Sequence, residues 1–176
     1  LMAGIHRERP GADAMAGATG DAAVEVSDGI FCSPGWSNSY LITTDDGRVV
    51  VNTGMGFEGP LHRRAYDAVD PGSATHTIVL TQGHYDHVGG VDSLRDDGTD
   101  VVAQANFGVW RDDNERLEAF RSRNSAFAFI DAILAAMEHA RSAGVGQVAQ
   151  SRPEPTRTVD DRLALTVGGR RPELIA

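Results

Sequence analysis

The feature that most constrains the fold is a run of β-branched and apolar residues, Thr77-Ile78-Val79-Leu80-Thr81, followed at once by a polar segment. This composition is typical of a strand whose two faces are both buried, as in a parallel sheet covered by other elements. The polar segment, residues 82–90, has no regular period and ends in two glycines, and a short helix signal follows at 91–94. The order of strand, loop and helix predicts an α/β sheet, in which ligands collect at the carboxyl ends of strands.

Segments on both sides of this strand extend the pattern. Strand-like residues begin at Val24, and two later segments are joined by Asp45-Asp46-Gly47, a strong hairpin signal, so that the chain is predicted to open with three antiparallel strands. The remaining predicted elements are a helix over 61–69, a strand over 100–103, helical spacing from 112 to 140 with a break at 122–124, a loop over 144–155 and a final hairpin between 163 and 175.

Length and charge limit the classes of protein that fit. A chain of 176 residues with 41% hydrophobic residues is long enough for one globular domain with a sizeable core. The net charge of -9 disfavours nucleic acid and membranes as partners, because both are anionic and no basic patch is evident. A small molecule is therefore the expected substrate.

The cysteine count and the N-terminal composition bear on location. Cys32 is the only cysteine, which excludes an internal disulfide and a cysteine-based zinc site, and a reducing cytoplasm is the simplest location. All sixteen basic residues are arginine, a weak indication of a bacterial source. Residues 1–22 are rich in Ala and Gly and lack the apolar core of a secretory signal, so they are interpreted as a mobile tail before a domain at 23–176.

The loop after the buried strand contains residue types that commonly bind metals. His84, Asp86 and His87 lie within four positions, directly before Gly89-Gly90. Gln82 and His84 are two residues apart, so on an extended segment they can point toward one ion while Asp86 and His87 turn toward a second. Imidazole and carboxylate donors suit Zn²⁺, Fe or Mn²⁺. The alternative is that isolated histidines are ordinary surface or core residues, but the strand before the loop and the glycines after it favour a metal site.

The segment Thr81-Gln82-Gly83-His84-Tyr85-Asp86-His87-Val88-Gly89-Gly90 resembles the Thr-His-x-His-x-Asp-His-x-Gly-Gly signature of the metallo-β-lactamase superfamily, with Gln82 in place of the first histidine. Upstream, Val49-Val50-Val51-Asn52-Thr53-Gly54 resembles the family's apolar strand that ends in Asp-Thr-Gly. Residues 103–107 and the arginine-bearing helices after them are loosely similar to the alkylsulfatase-like branch.

The resemblance implies a fold, an activity and a set of roles. It implies an αββα sandwich, of which the chain covers the first half and the hairpin that begins the second. His84 would be a ligand of the first metal, with Gln82 as a weaker neutral donor at the same ion, while Asp86 and His87 would bind the second. Asn52 replaces an Asp that usually orients the ligands without touching the metal. The implied activity is metal-dependent hydrolysis of an ester, amide or lactam, thioester or sulfate-ester bond, with one or two zinc ions activating water and Asp86 steadying the nucleophile.

Four points remain open at this stage. Family members carry a second half that supplies the remaining ligands, so the domain at 23–176 is expected to be truncated at its C-terminus. The sheet edge left uncovered predicts a homodimer. Trp36, in the loop Ser33-Pro34-Gly35-Trp36-Ser37, either covers a substrate or packs on its own sheet. The substituted Gln82 and Asn52 leave a degenerate, catalytically weak or inactive module as the alternative function.

Overall fold

The computed structural model describes residues 20–176, with only the helical backbone described at 125–128. The tail predicted at residues 1–22 lies outside the described residues except for its last three. Of these, Gly20 donates its backbone N–H to the carbonyl oxygen of Pro34 at 3.2 Å.

A seven-stranded sheet forms the centre of the molecule, with strands in sequence order from edge to edge. The first four strands pair antiparallel and the last three add in parallel. They are β1 (Val24–Ser27), β2 (Ile30–Ser33), β3 (Ser39–Thr43), β4 (Arg48–Val51), β5 (Thr75–Leu80), β6 (Asp100–Gln104) and β7 (Arg157–Val159). The expected α/β architecture is confirmed, with β5 between two parallel neighbours as its apolar composition predicted.

Five helices and a second, two-stranded sheet complete the described fold. The helices are α1 (Gly59–Val69), α2 (Tyr85–Val88), α3 (Val91–Leu94), α4 (Phe107–Arg116) and α5 (Glu118–Ser142). The second sheet pairs β8 (Arg162–Ala164) with β9 (Glu173–Ile175), which is the predicted final hairpin.

The two faces of the large sheet have separate apolar clusters because successive side chains on a strand point to opposite sides. On the helix side, Val50 and Ile78 pack with Tyr66 of α1 and with the two apolar residues of α3, Val91 and Leu94. On the other side, Val49 and Val79 pack against Leu165 and Val167 beside the two-stranded sheet, together with partly buried neighbours. Both faces of the sheet are therefore covered where β4 and β5 lie.

Two predicted details were wrong. The chain begins with four antiparallel strands and not three, because Gly29 adopts a φ of 67° and turns the first predicted segment back on itself. The helical region breaks at Leu117 and not at 122–124, which lie inside α5. Ser and Asn have a weak preference against helix interiors, and exposed positions in a long helix tolerate them.

Candidate metal centre

The predicted metal loop, Gln82 to His87, lies at the edge of the sheet where β4 and β5 have their carboxyl ends. After β5 the chain continues without regular structure to His84, and α2 then carries Asp86 and His87 in its single turn. The end of β4 holds this turn in place, since Thr53 donates to the carbonyl oxygen of His87 from its backbone N–H at 2.8 Å and from its hydroxyl at 2.9 Å. Two neighbouring strands thus position one short segment of polar side chains.

A continuous set of contacts joins the four residues predicted as ligands. The side-chain oxygen of Gln82 contacts Nδ1 of His84, and its amide nitrogen lies 2.8 Å from Nε2 of His87. The same nitrogen of His87 lies 3.4 Å from Oδ2 of Asp86. The structure therefore brings the four side chains together, with Gln82 in the middle.

The donor set fits part of a metal shell. Two ligands about 2.0–2.1 Å from a tetrahedral zinc ion lie roughly 3.4 Å apart, which is the separation of Asp86 Oδ2 and His87 Nε2. Among residues 20–176, however, no three His, Cys, Asp or Glu side chains form a group that could hold an ion. Asp86 and His87 thus make one pair of donors and Gln82 and His84 make another, and each pair needs further donors from water or from other residues.

His87 is held in the neutral form that a metal ligand requires. Burial lowers the pKa of His87 below its usual value, and the negative charge of Asp86 opposes that shift without cancelling it. When Nε2 is unprotonated, its single lone pair accepts from the amide of Gln82, and a bound cation would replace that hydrogen bond. An imidazole that is neutral at neutral pH binds a cation without first releasing a proton.

Comparison with known proteins identifies the fold. Residues 33–104 match the model of the metallo-beta-lactamase superfamily, a stretch that runs from the end of β2 through the metal loop to β6. The chain has the metallo-β-lactamase fold. No curated protein sequence matches it.

Solved structures with this fold resemble the chain over most of its length. The chain is similar to the stereoselective inverting sec-alkylsulfatase Pisa1 from Pseudomonas sp., with 19% identity, a TM-score of 0.66 and 88% of this chain covered. It is also similar to BJP-1, a subclass B3 metallo-β-lactamase of Bradyrhizobium japonicum (16% identity, TM-score 0.61, 89% covered), and to the metallo-β-lactamase GOB-18 from Elizabethkingia meningoseptica (19%, 0.55, 84%). The chain spans 27% of the alkylsulfatase and 52% and 47% of the two lactamases.

Asn52 supports the metal loop of this metallo-β-lactamase fold from beneath. It adopts a φ of 58°, a left-handed conformation that asparagine tolerates better than most residues. Its side-chain oxygen accepts hydrogen bonds from both the backbone N–H and the hydroxyl of Thr81, each at 3.0 Å. Asn52 thus holds Thr81, the residue directly before Gln82, at the point where the loop leaves β5.

Sequence reasoning missed a second support, the segment around Gln150. Its side-chain amide donates to the carbonyl oxygen of Tyr85 at 2.5 Å and accepts from the backbone N–H of Gly56 at 2.8 Å. The next residue, Ser151, donates its backbone N–H to Gly89 at 2.9 Å. Gln150 lies more than sixty residues from the metal loop in sequence, and nothing in its local pattern marks it.

Trp36 contacts the long helix α5. Its ring packs edge to face on Phe129, with the centroids 5.8 Å apart, and its two predicted roles, over a substrate or on its own sheet, stay predictions. The neighbouring Ser37 is the residue of this loop that reaches the site, as its hydroxyl donates to Asp86 at 2.5 Å.

An open cleft of about 800 Å³ adjoins Gln82 and His84. His84 lies edge to face on Trp110 of α4 at 4.5 Å, and the guanidinium of Arg121 lies over the same indole ring at 4.8 Å. Arg121 also contacts Asn114 and Asp113, so it belongs to a salt-bridged helix surface. The cleft gives a small molecule access to the first pair of donors.

In the described part of the chain, no helix combines the length and the apolar character needed to cross a membrane.

Proposed function

We propose that this chain is the metal-binding portion of a hydrolase that activates water for attack on an ester, amide or lactam, thioester or sulfate-ester bond of a small molecule. The observation that carries the proposal is the convergence of Gln82, His84, Asp86 and His87 at one edge of a metallo-β-lactamase fold. The match of residues 33–104 to the superfamily model supports it, as does the cleft beside His84.

The expected cofactor is one or two zinc ions, with iron or manganese as alternatives of similar ligand preference. Asp86 and His87 would hold the ion at the better of the two pairs, while His84 and Gln82 would hold the other more weakly, because an amide oxygen is a neutral and weaker donor. A bound divalent ion supplies a hydroxide from water near neutral pH and a positive charge beside the electrophilic oxygen.

The protein residues have separate tasks around that chemistry. The carboxylate of Asp86 accepts hydrogen bonds and so orients the attacking water. His87, whose Nε2 lies 3.4 Å from Oδ2 of Asp86, would supply the second donor to the same ion. The ring of Trp110, which packs on His84, gives the substrate an apolar wall at the mouth of the cleft.

Hydrolysis assays with chromogenic esters, a lactam, a thioester and a sulfate ester test this function. Asp86→Asn, which keeps the shape and removes the charge, should lower the rate on the active substrate by at least about 100-fold, the upper end of the effect of residues that only orient ligands. Asp92→Asn is the matched control, because that carboxylate is exposed and pairs with Arg95 at the surface. Hydrolysis that is equal in both variants and insensitive to a chelator would refute the proposal.

The alternative function is a degenerate module with weak or no catalysis. It is favoured by the amides at Gln82 and Asn52 and by the lack of a three-donor group among residues 20–176. It predicts no hydrolysis of any substrate in the panel and no stoichiometric metal. A cytoplasmic location, a bacterial source and a homodimer remain proposals beside both functions.

A further inference from the structure

The loop between β2 and β3 brings one hydroxyl to the second pair of donors. Ser37 Oγ donates to Asp86 Oδ2 at 2.5 Å and lies 3.0 Å from His87 Nε2. Both atoms belong to residues that are predicted metal ligands. We propose that Ser37 is a positioning residue of this metal centre, which holds the carboxylate of Asp86 beside the imidazole of His87 in the orientation that a cation requires. The inference rests on the proposed metal-dependent function.

The distances favour a positioning role over direct ligation. Ligands of one tetrahedral zinc ion stay roughly 3.4 Å apart, since closer approach forces their lone pairs together. Asp86 and His87 meet this spacing, whereas Ser37 lies closer to both, at hydrogen-bonding distance. Because the single hydroxyl proton is donated to Asp86, Ser37 fixes the side-chain rotation of that carboxylate.

A buried carboxylate fixes the position of Ser37 in turn. Glu58, at the start of α1, is fully buried, and its Oε1 accepts the backbone N–H of Trp36 at 2.7 Å. Its other oxygen accepts the N–H of Met55 at 2.9 Å, so one side chain joins the serine loop to the loop after β4. Hydrogen bonds inside a dry site are stronger than in water, so the two bonds that Glu58 accepts give the loop a defined place.

The glycine before the tryptophan is part of the same device. A Cβ at Gly35 would lie 2.8 Å from Oε1 of Glu58 and 3.1 Å from the ring of His62, so only glycine lets the loop approach this closely. His62 is itself buried and shares a hydrogen bond of 2.7 Å with Ser33 at the end of β2. The loop that carries Ser37 is thus held at its start, through Ser33, and next to the serine, through Trp36.

Cobalt titration of the full chain tests the proposal, because Co²⁺ replaces Zn²⁺ and its visible spectrum reports the geometry of its ligands. Ser37→Ala should bind Co²⁺ about 10-fold or more weakly, in line with the loss of other residues that orient ligands, and should show an altered spectrum. Ser37→Thr retains the hydroxyl and should restore both affinity and spectrum. Asn38→Ala is the matched control, since that neighbour is exposed, and should behave as the parent chain.

The outcomes separate this proposal from the proposed function. If the parent chain binds Co²⁺ and Ser37→Ala binds it with the same affinity and spectrum, the role of Ser37 is wrong while the metal centre stands. If the parent chain binds no Co²⁺, both proposals fail. If Ser37→Ala lowers the melting temperature in the absence of metal, Ser37→Thr and Ser37→Val are compared instead. These two side chains have nearly the same shape and differ in a hydroxyl against a methyl group, so a difference in Co²⁺ affinity between them reports the hydroxyl. Equal Co²⁺ affinity in that pair also overturns the positioning role.

Discussion

Gly90, the second glycine after the metal loop, should be intolerant of any side chain. A Cβ at this position would lie 2.2 Å from the carbonyl oxygen of Thr53 and 2.9 Å from the Cα of Gly59. Both obstacles are backbone atoms, so no side-chain rotation can relieve the clash. The φ of Gly90 is -91°, which any residue adopts, so the cost of alanine comes from space and not from backbone strain.

The magnitude follows from two opposing effects. Overpacking a tight site costs about 1–3 kcal/mol, and rigid backbone neighbours place Gly90→Ala at the upper end of that range. Replacing glycine by alanine also stiffens the unfolded chain, which offsets about 0.4–1 kcal/mol. The free energy of unfolding should therefore fall by roughly 2 kcal/mol. For a domain of this size the melting temperature should fall by about 4–8 °C.

Thermal unfolding by circular dichroism measures this effect against Gly146→Ala. Gly146 has open space where a Cβ would be and no positive φ, so its replacement should be neutral or slightly stabilising. If Gly90→Ala and Gly146→Ala melt at the same temperature, the close contact between α1, the end of β4 and the metal loop is not present as described.

Three further outcomes follow from other parts of the structure. Burial lowers the pKa of His62 to about 4, so as the pH falls below 6.5 the imidazole is protonated in the unfolded chain before it is protonated in the folded one. The free energy of unfolding, measured in urea, should therefore fall by about 1.4 kcal/mol per pH unit between pH 6.5 and 4, and His62→Asn should reduce this pH dependence. Gln150→Ala removes one hydrogen bond to Tyr85 of the metal loop and one to Gly56, and should lower the free energy of unfolding by about 2 kcal/mol. The exposed Gln147→Ala should not lower it, and equal stability of the two variants would contradict the supporting role of Gln150. Gln82→His should tighten zinc binding in calorimetric titration, because imidazole is the stronger donor; unchanged affinity would mean that Gln82 does not face an ion.

The parts of the fold with a strong local signal could be predicted from sequence. The apolar run of β5 indicated a buried parallel strand, and Asp45-Asp46-Gly47 indicated the hairpin between β3 and β4. The spacing of His84, Asp86 and His87 after that strand indicated that these side chains lie close together, and their metal-binding role stays a prediction. In each case the residues that carry the signal are also those that make the local structure.

Features that depend on distant contacts could not be predicted. Strand β7 has three residues, and its pairing with β6 decides its conformation more than its own composition does. Gln150 looks like any loop residue until the fold brings it to Tyr85. In the loop before β3, the sequence favoured Trp36 as the functional residue, because the role of Ser37 depends on the contact that its hydroxyl makes with Asp86 in the folded chain.

The most direct test of the account is the metal content of the purified chain and of its Asp86→Ala and Asp92→Ala variants, measured by elemental analysis after exposure to zinc and removal of free ions. The carboxylate of Asp86 lies among the predicted donors, while that of Asp92 pairs with Arg95 at the surface. We expect zinc close to stoichiometric in the parent chain and in Asp92→Ala, and a marked loss in Asp86→Ala. Equal zinc in all three proteins, or none in the parent chain, would contradict a metal centre at the carboxyl edge of β5.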